Sequence, residues 1–338
     1  MKKRYLLAGI SGVVAGAVAT KLLTRARDVS WTESLDLIYH PEYSWFTEIG
    51  STRVHYQDAG DENGPALILI HGFISSTLIW RDVFLPLADA GFRVIAIDLP
   101  GYGYSDKPAD ARYTIDSQAH AVVSLMDQLG LDTATIVGAS YGGAIAATIA
   151  LDYPERVEKL VLVGAVSNDQ PKKKLLLRIL QIPLIGDIVT PLYLGSRWTL
   201  RKRMEDMYRR VGRPIDERMI AARHHLLETA NVHRAMIRTV RRWNANRIQQ
   251  QAPLIRAATL LVWGDDDNHI PLSEGLRLRD AIPDARLIVF RNCGHLPPTE
   301  YPEKFVEIVA DFCGSRDNLD KKSQPLQFKQ TKAHQLND

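Results

Sequence analysis

A serine hydroxyl attacks a carbonyl at neutral pH only if a base takes its proton and donors await the resulting anion. Ser140 sits where both can be arranged. It occupies the centre of Gly138-Ala139-Ser140-Tyr141-Gly142, between a β-branched run ending at Val137 and an apolar helical stretch over 142–153. A sharp strand-to-helix turn of this type holds the serine in strained backbone and presents its hydroxyl at a helix N-terminus. There the helix dipole favours a developing anion, and the N–H of Tyr141 can donate to it. The base must be oriented by a carboxylate. His295, in Asn292-Cys293-Gly294-His295, follows an apolar run over 286–290, and the contiguous Asp265, Asp266 and Asp267 follow another over 259–263. Asp169 is a more distant candidate for the acid. A second oxyanion donor is expected after the apolar run 66–70, in His71-Gly72-Phe73, where Gly72 lets the chain double back and aims the N–H of Phe73 at the same spot.

Holding these side chains together requires a sheet. From Phe46 onward, short β-branched runs alternate with helical stretches, the pattern of a mostly parallel sheet covered on both faces. Two strands predicted at 44–49 and 53–58 pair antiparallel across Gly50-Ser51. Six more are predicted at 66–70, 92–97, 135–137, 159–163, 259–263 and 286–290, with helices over 78–89, 115–129, 142–153, from Ser273, and over 302–313. Ser140, the three aspartates and His295 then all fall at strand ends.

Residues 168–250 break this rhythm. Leu, Ile, Met and Arg recur there at helical spacing around 175–180, 198–210 and 219–240, which predicts a helical cap inserted in a core formed by 44–167 and 251–313. Charge divides the same way. The chain carries a net +3, yet 168–250 holds 18 Lys and Arg against 7 Asp and Glu, while 31–167 holds 7 against 18. A composition of 46% hydrophobic and 24% charged residues is that of a globular chain. Cys293 and Cys313, the only cysteines, exclude a disulfide scaffold and a thiolate zinc site. The N-terminus reads as a membrane anchor or signal segment over 1–27: basic residues 2–4, no charge from Tyr5 to Thr20, then Lys21, Arg25 and Arg27. The expected location is the membrane, or an exported state after cleavage near Ala17-Val18-Ala19. The polar tail over 314–338 reads as disordered.

These motifs are similar to those of the α/β-hydrolase fold family over nearly all of 44–313. Asp98 to Ser105 resembles the loop after that family's fourth strand, and 152–157 its turn after the nucleophile helix. The resemblance implies an eight-stranded, mostly parallel sheet with an inserted cap, substrate entry between cap and core, and no metal or organic cofactor. It also implies the order serine, acid, histidine. Its Trp-Gly-x-x-Asp spacing selects Asp267, giving a triad of Ser140, Asp267 and His295 with Phe73 and Tyr141 as oxyanion donors. Epoxide hydrolases and haloalkane dehalogenases are similar too, but they carry aspartate where Ser140 stands, so acyl chemistry is expected. The first expectation is hydrolysis of a carboxylic ester of the carboxylesterase or lipase type. The alternatives on the same triad are hydrolysis of a carbon–carbon bond in a diketone-like acid, thioester hydrolysis and acyl transfer; a non-catalytic binding member of the fold is the rival from another class. His71 and Cys293 are read as structural. The basic cap is read as solvated helices complementing the acidic core, or as a face in which Lys172–Lys174 and the arginines between 197 and 213 meet an anionic membrane and admit lipophilic esters. No nucleic-acid-binding module is present, and nucleic acid is not expected as a partner.

Overall fold

The computed structural model describes residues 31–194 and 196–314. Its eight strands are β1 (Ser44–Ile49), β2 (Thr52–Ala59), β3 (Ala66–Ile70), β4 (Arg93–Ile97), β5 (Ala134–Ala139), β6 (Val157–Val163), β7 (Ala258–Gly264) and β8 (Ala285–Phe290). They form one sheet in the order β1-β2-β4-β3-β5-β6-β7-β8. The β1–β2 and β2–β4 pairs are antiparallel and all others parallel, as the alternation of elements predicts. β3 and β5 are buried at every residue, the signature of strands covered on both faces. One face packs α1 (Phe84–Asp89) and α11 (Pro302–Gly314) against Leu67, Leu69 and Val161. The other packs α2 (Ile115–Gln128), α3 (Tyr141–Asp152) and α10 (Leu272–Ala281) against Ile68, Ile70 and Ile136.

The cap over 168–250 is helical throughout its regular elements: α4 (Leu175–Gln181), α5 (Ile185–Leu194), α6 (Arg197–Val211), α7 (Glu217–Leu227), α8 (Val232–Arg242) and α9 (Asn246–Gln251). Two boundaries differ from expectation. The periodic stretch 219–240 is two helices, parted where Asn231 takes the left-handed conformation at φ 62°. The helix predicted over 78–89 is a 3-10 turn, Thr77–Trp80, followed by the short α1; the buried Asp98 carboxylate takes the Thr77 N–H at 2.7 Å and ties that turn to the core.

Part of the positive charge of the cap is used in contacts within the molecule. Arg213 donates to the Thr299 carbonyl (2.7 Å), Arg218 to Ile38 (2.9 Å), Arg238 to Ala111 (3.3 Å) and Arg242 to Arg112 (2.9 Å), so guanidinium groups fasten the cap to core carbonyls. Of the residues assigned to a membrane face, Lys172 donates to the Trp243 carbonyl, Lys174 to that of Asn268, and Arg201 pairs with Glu205 and Glu217. The anchor or signal segment at 1–27 and the tail beyond 314 lie outside the described residues. Among the described residues no helix is long and apolar enough to cross a membrane.

Asp98 carries a pH prediction. Burial opposes its ionisation, yet the His55 hydrogen bond (2.8 Å), the His55 charge and the Tyr104 N–H (2.9 Å) hold its carboxyl at about 2, below the ordinary 3.8. A carboxyl depressed in the fold stabilises it above the unfolded value and ceases to do so as pH falls through the folded one. Denaturant midpoints should therefore fall between pH 4 and 2, and Asp98→Asn should lower the plateau at pH 7 while flattening that fall. An unchanged acid limb in the variant would remove Asp98 from the account.

Candidate active site

Ser140 lies between the last residue of β5 and the first of α3, at φ 55° and ψ −115°. A non-glycine residue there costs on the order of 1–3 kcal/mol and persists only where its surroundings fix it. Here the Ser140 N–H donates to the Val163 carbonyl (2.8 Å), and its own carbonyl accepts from Gly143 and Val166 (both 3.0 Å). The turn also needs Gly142, where a Cβ would strike the carbonyls of Ile70 and His71. Across from the serine, a Cβ at Gly72 would lie 3.1 Å from that of Ser140, so the loop carrying Phe73 runs against the nucleophile. Neither the Phe73 nor the Tyr141 N–H has a backbone acceptor among the described residues. Both are therefore candidates to donate to an oxyanion formed on a substrate beside Ser140.

The structure brings His295 and Asp267 together: His295 Nδ1 is 2.7 Å from Asp267 Oδ2. The other carboxylate oxygen accepts the N–H groups of His269 (2.7 Å) and Ile270 (2.9 Å). Burial works against the Asp267 charge, but these bonds and the His295 charge outweigh it and hold the carboxyl below its ordinary value. Asp265 and Asp266 are exposed, the former meeting the Cys293 N–H at 3.4 Å. Asp169 is in the cap, where it accepts the Ala245 N–H. The pair fits because Gly164, at φ 48°, offers no side chain: a Cβ there would sit 3.1 Å from both Asp267 Oδ2 and His295 Nδ1. Ser140 Oγ has no hydrogen bond to His295 among the described contacts, a looseness common in unliganded sites.

His71 is fully buried, with Nδ1 bonded to the Gly72 carbonyl (2.8 Å) and Nε2 accepting the Leu99 N–H (3.1 Å). Burial lowers its pKa, and the neutral ring braces the loop. Cys293 is packed in the core. Two features escaped the sequence reading. His269 stacks on His295 with centroids 4.9 Å apart and planes at 20°. The other is Arg223, in a cleft between core and cap that Ile74, Ser75, Tyr102, Met219 and Thr299 also line.

No carboxylate among the described residues pairs with Arg223. Its guanidinium donates to the Ile74 carbonyl (3.3 Å) and rests on Met204 Sδ (3.9 Å). Loss of water and then the nearby Arg203 charge push it down to about 10, so it stays cationic at neutral pH. Its position held a signal. On α7 it falls one turn from Met219 and Ile220 on one side and Leu226 and Leu227 on the other, within the buried stripe. An arginine there faces inward.

Comparison with known proteins agrees with the fold. The alpha/beta hydrolase fold family matches residues 65–186. A 2-hydroxy-6-oxononadienedioate/2-hydroxy-6-oxononatrienedioate hydrolase of Paraburkholderia phymatum is 32% identical over 271 residues, spanning 78% of this chain and 91% of its own. Among solved structures, a meta-cleavage product hydrolase of Pseudomonas fluorescens is 26% identical with a TM-score of 0.68, covering 81% of this chain and 98% of its own. A membrane phospholipase A is 25% identical with a TM-score of 0.70, covering 93% and 98%.

Proposed function

This chain belongs to the α/β-hydrolase fold family and is a hydrolase, and on that premise we propose that it cleaves a carbon–carbon bond in a 2-hydroxy-6-oxo-dienoate type of acid. This takes the place of the carboxylic ester as first expectation. Ser140 is the nucleophile, His295 the base, Asp267 its orienting acid, and the N–H groups of Phe73 and Tyr141 the oxyanion donors.

The observation that carries the reading is Arg223. A cation in a cleft between core and cap, with no carboxylate partner among the described residues, favours a ligand that brings one, because an unpaired charge partly withdrawn from water is costly. The arginine fork suits a carboxylate. The names of the Paraburkholderia phymatum relative's substrates describe such acids. They contain no ester or amide, so hydrolysis must break the bond beside the 6-oxo carbon.

The chemistry then runs on this chain's own groups. In the diketo tautomer, Ser140 Oγ adds to the 6-oxo carbon and its proton passes to His295 Nε2. The oxyanion lies between the N–H groups of Phe73 and Tyr141. Its collapse breaks the C5–C6 bond, and the electron pair spreads into the conjugated 2-oxo acid anchored at Arg223. The dienolate takes the proton from His295 and leaves as the 2-hydroxydienoate, and His295, neutral again, activates water to release the acyl group from Ser140 as a second acid.

Turnover of 2-hydroxy-6-oxo-6-phenylhexa-2,4-dienoate tests this beside p-nitrophenyl butyrate and a phospholipid. The kcat/KM for the dienoate should exceed that for either ester by roughly 10⁴-fold, the scale on which a buried polar site rejects a ligand lacking the matching group. The reverse ranking would restore the ester reading, which the likeness to the phospholipase over 93% of the chain favours.

A further inference from the structure

We infer that Arg223 is also a positioning residue for the oxyanion hole, linking the cap to the loop that carries the Phe73 N–H. This rests on the serine and oxyanion part of the proposed function, not on the choice of carbon–carbon over ester cleavage.

Ile74 immediately follows Phe73 and holds φ 57°. A β-branched residue in that region is strained and stays there only if neighbouring contacts hold it. The carbonyl of Ile74 accepts from Arg223 Nη2, a bond that crosses from α7 of the cap to the loop after β3. The Phe73 N–H shares its peptide plane with the Gly72 carbonyl, which His71 Nδ1 holds at 2.8 Å, so His71 secures the near side of the turn and Arg223 its far side, at Ile74. Gly72, on the other side of Phe73, packs against Ser140 and has no side chain with which to fix the turn itself. Besides the packing of Phe73 and Ile74 on the core, Arg223 supplies a side-chain hydrogen bond to the strained end.

A guanidinium has five N–H donors. Two point to Ile74 and Met204, leaving others for a carboxylate in the cleft. Anchoring the substrate anion thus also fixes the arginine that braces the oxyanion loop.

Arg81, the other arginine of the cleft, is committed elsewhere: Nη2 donates to Tyr208 Oη (3.0 Å) and lies 3.3 Å from Asp82. It cannot take over the brace without abandoning a buried partner.

A substrate without a carboxylate separates the brace from the anchor. On p-nitrophenyl acetate, Arg223→Gln and Arg223→Met should lower kcat by about tenfold with KM little changed, a fraction of the 10²- to 10³-fold loss on deleting an oxyanion donor outright. A pure anchor would leave the neutral ester untouched, so an unchanged kcat in either variant that melts like the parent overturns the inference. The unmodified enzyme is first treated with a fluorophosphonate. If Ser140 is not labelled, the serine-hydrolase reading itself fails; labelling together with an unaltered kcat in the variants removes only the brace.

Discussion

Ser140→Ala should lower kcat by roughly 10⁴-fold or more and abolish labelling by a fluorophosphonate, with the fold intact. The residual rate reflects the oxyanion donors and binding, which survive loss of the nucleophile in serine enzymes. A companion substitution tests the geometry rather than the chemistry. Ser140 is held at φ 55° and ψ −115°, a conformation alanine tolerates no better than serine. Ser140→Gly removes the steric cost, on the order of 1–3 kcal/mol, at the expense of the greater freedom of an unfolded glycine, about 0.4–1 kcal/mol. The strain is the larger quantity. The glycine variant should therefore be as inactive as the alanine variant, yet more stable than the parent by about 1 kcal/mol in urea unfolding. Retained activity in Ser140→Ala would remove the serine as nucleophile; a destabilised glycine variant would show that the elbow is not strained.

What the sequence discloses about this site depends on how local the determining physics is. The elbow is local: glycines at 138 and 142 flank a serine between a buried strand and a buried helix, and close approach of backbone to backbone dictates both. The strands of the parallel sheet are legible for the same reason, since burial on two faces leaves near-continuous apolar runs. The acid is less local. Spacing proposes Asp267 from three adjacent aspartates, but what turns it inward is the reversal over 268–270, whose N–H groups capture Oδ1.

Arg223 is least legible because its charge invites a surface reading, and only the fold places its helix stripe over the cleft. Ester and carbon–carbon hydrolysis share one triad, so the residues at 140, 267 and 295 cannot separate them. The cap lining can. The split of 219–240 falls at Asn231, a residue type that enters the left-handed region readily, with no glycine or proline to mark it.

Asp267→Asn should cost roughly 10³- to 10⁴-fold in kcat, with KM little changed, although the two side chains have nearly the same shape. Oδ1 can still accept from His269 and Ile270, so the loop keeps its form. The change falls on the other branch, where a carboxylate oxygen now accepts from His295 Nδ1 at 2.7 Å. An amide NH₂ in that place donates instead, which makes Nδ1 the acceptor and moves the ring proton to Nε2. The nitrogen facing Ser140 then has no lone pair with which to take the hydroxyl proton, and the imidazolium loses the charge that stabilises it. Asp265→Asn and Asp266→Asn change exposed carboxylates and should stay within about twofold of the parent, because screened surface charges contribute little. A large loss confined to Asp267→Asn, partly restored at high pH where hydroxide substitutes for the base, would single out its role. Equal losses at 265 or 266 would mean that the charge of the loop as a whole, rather than one hydrogen bond to His295, sets the rate.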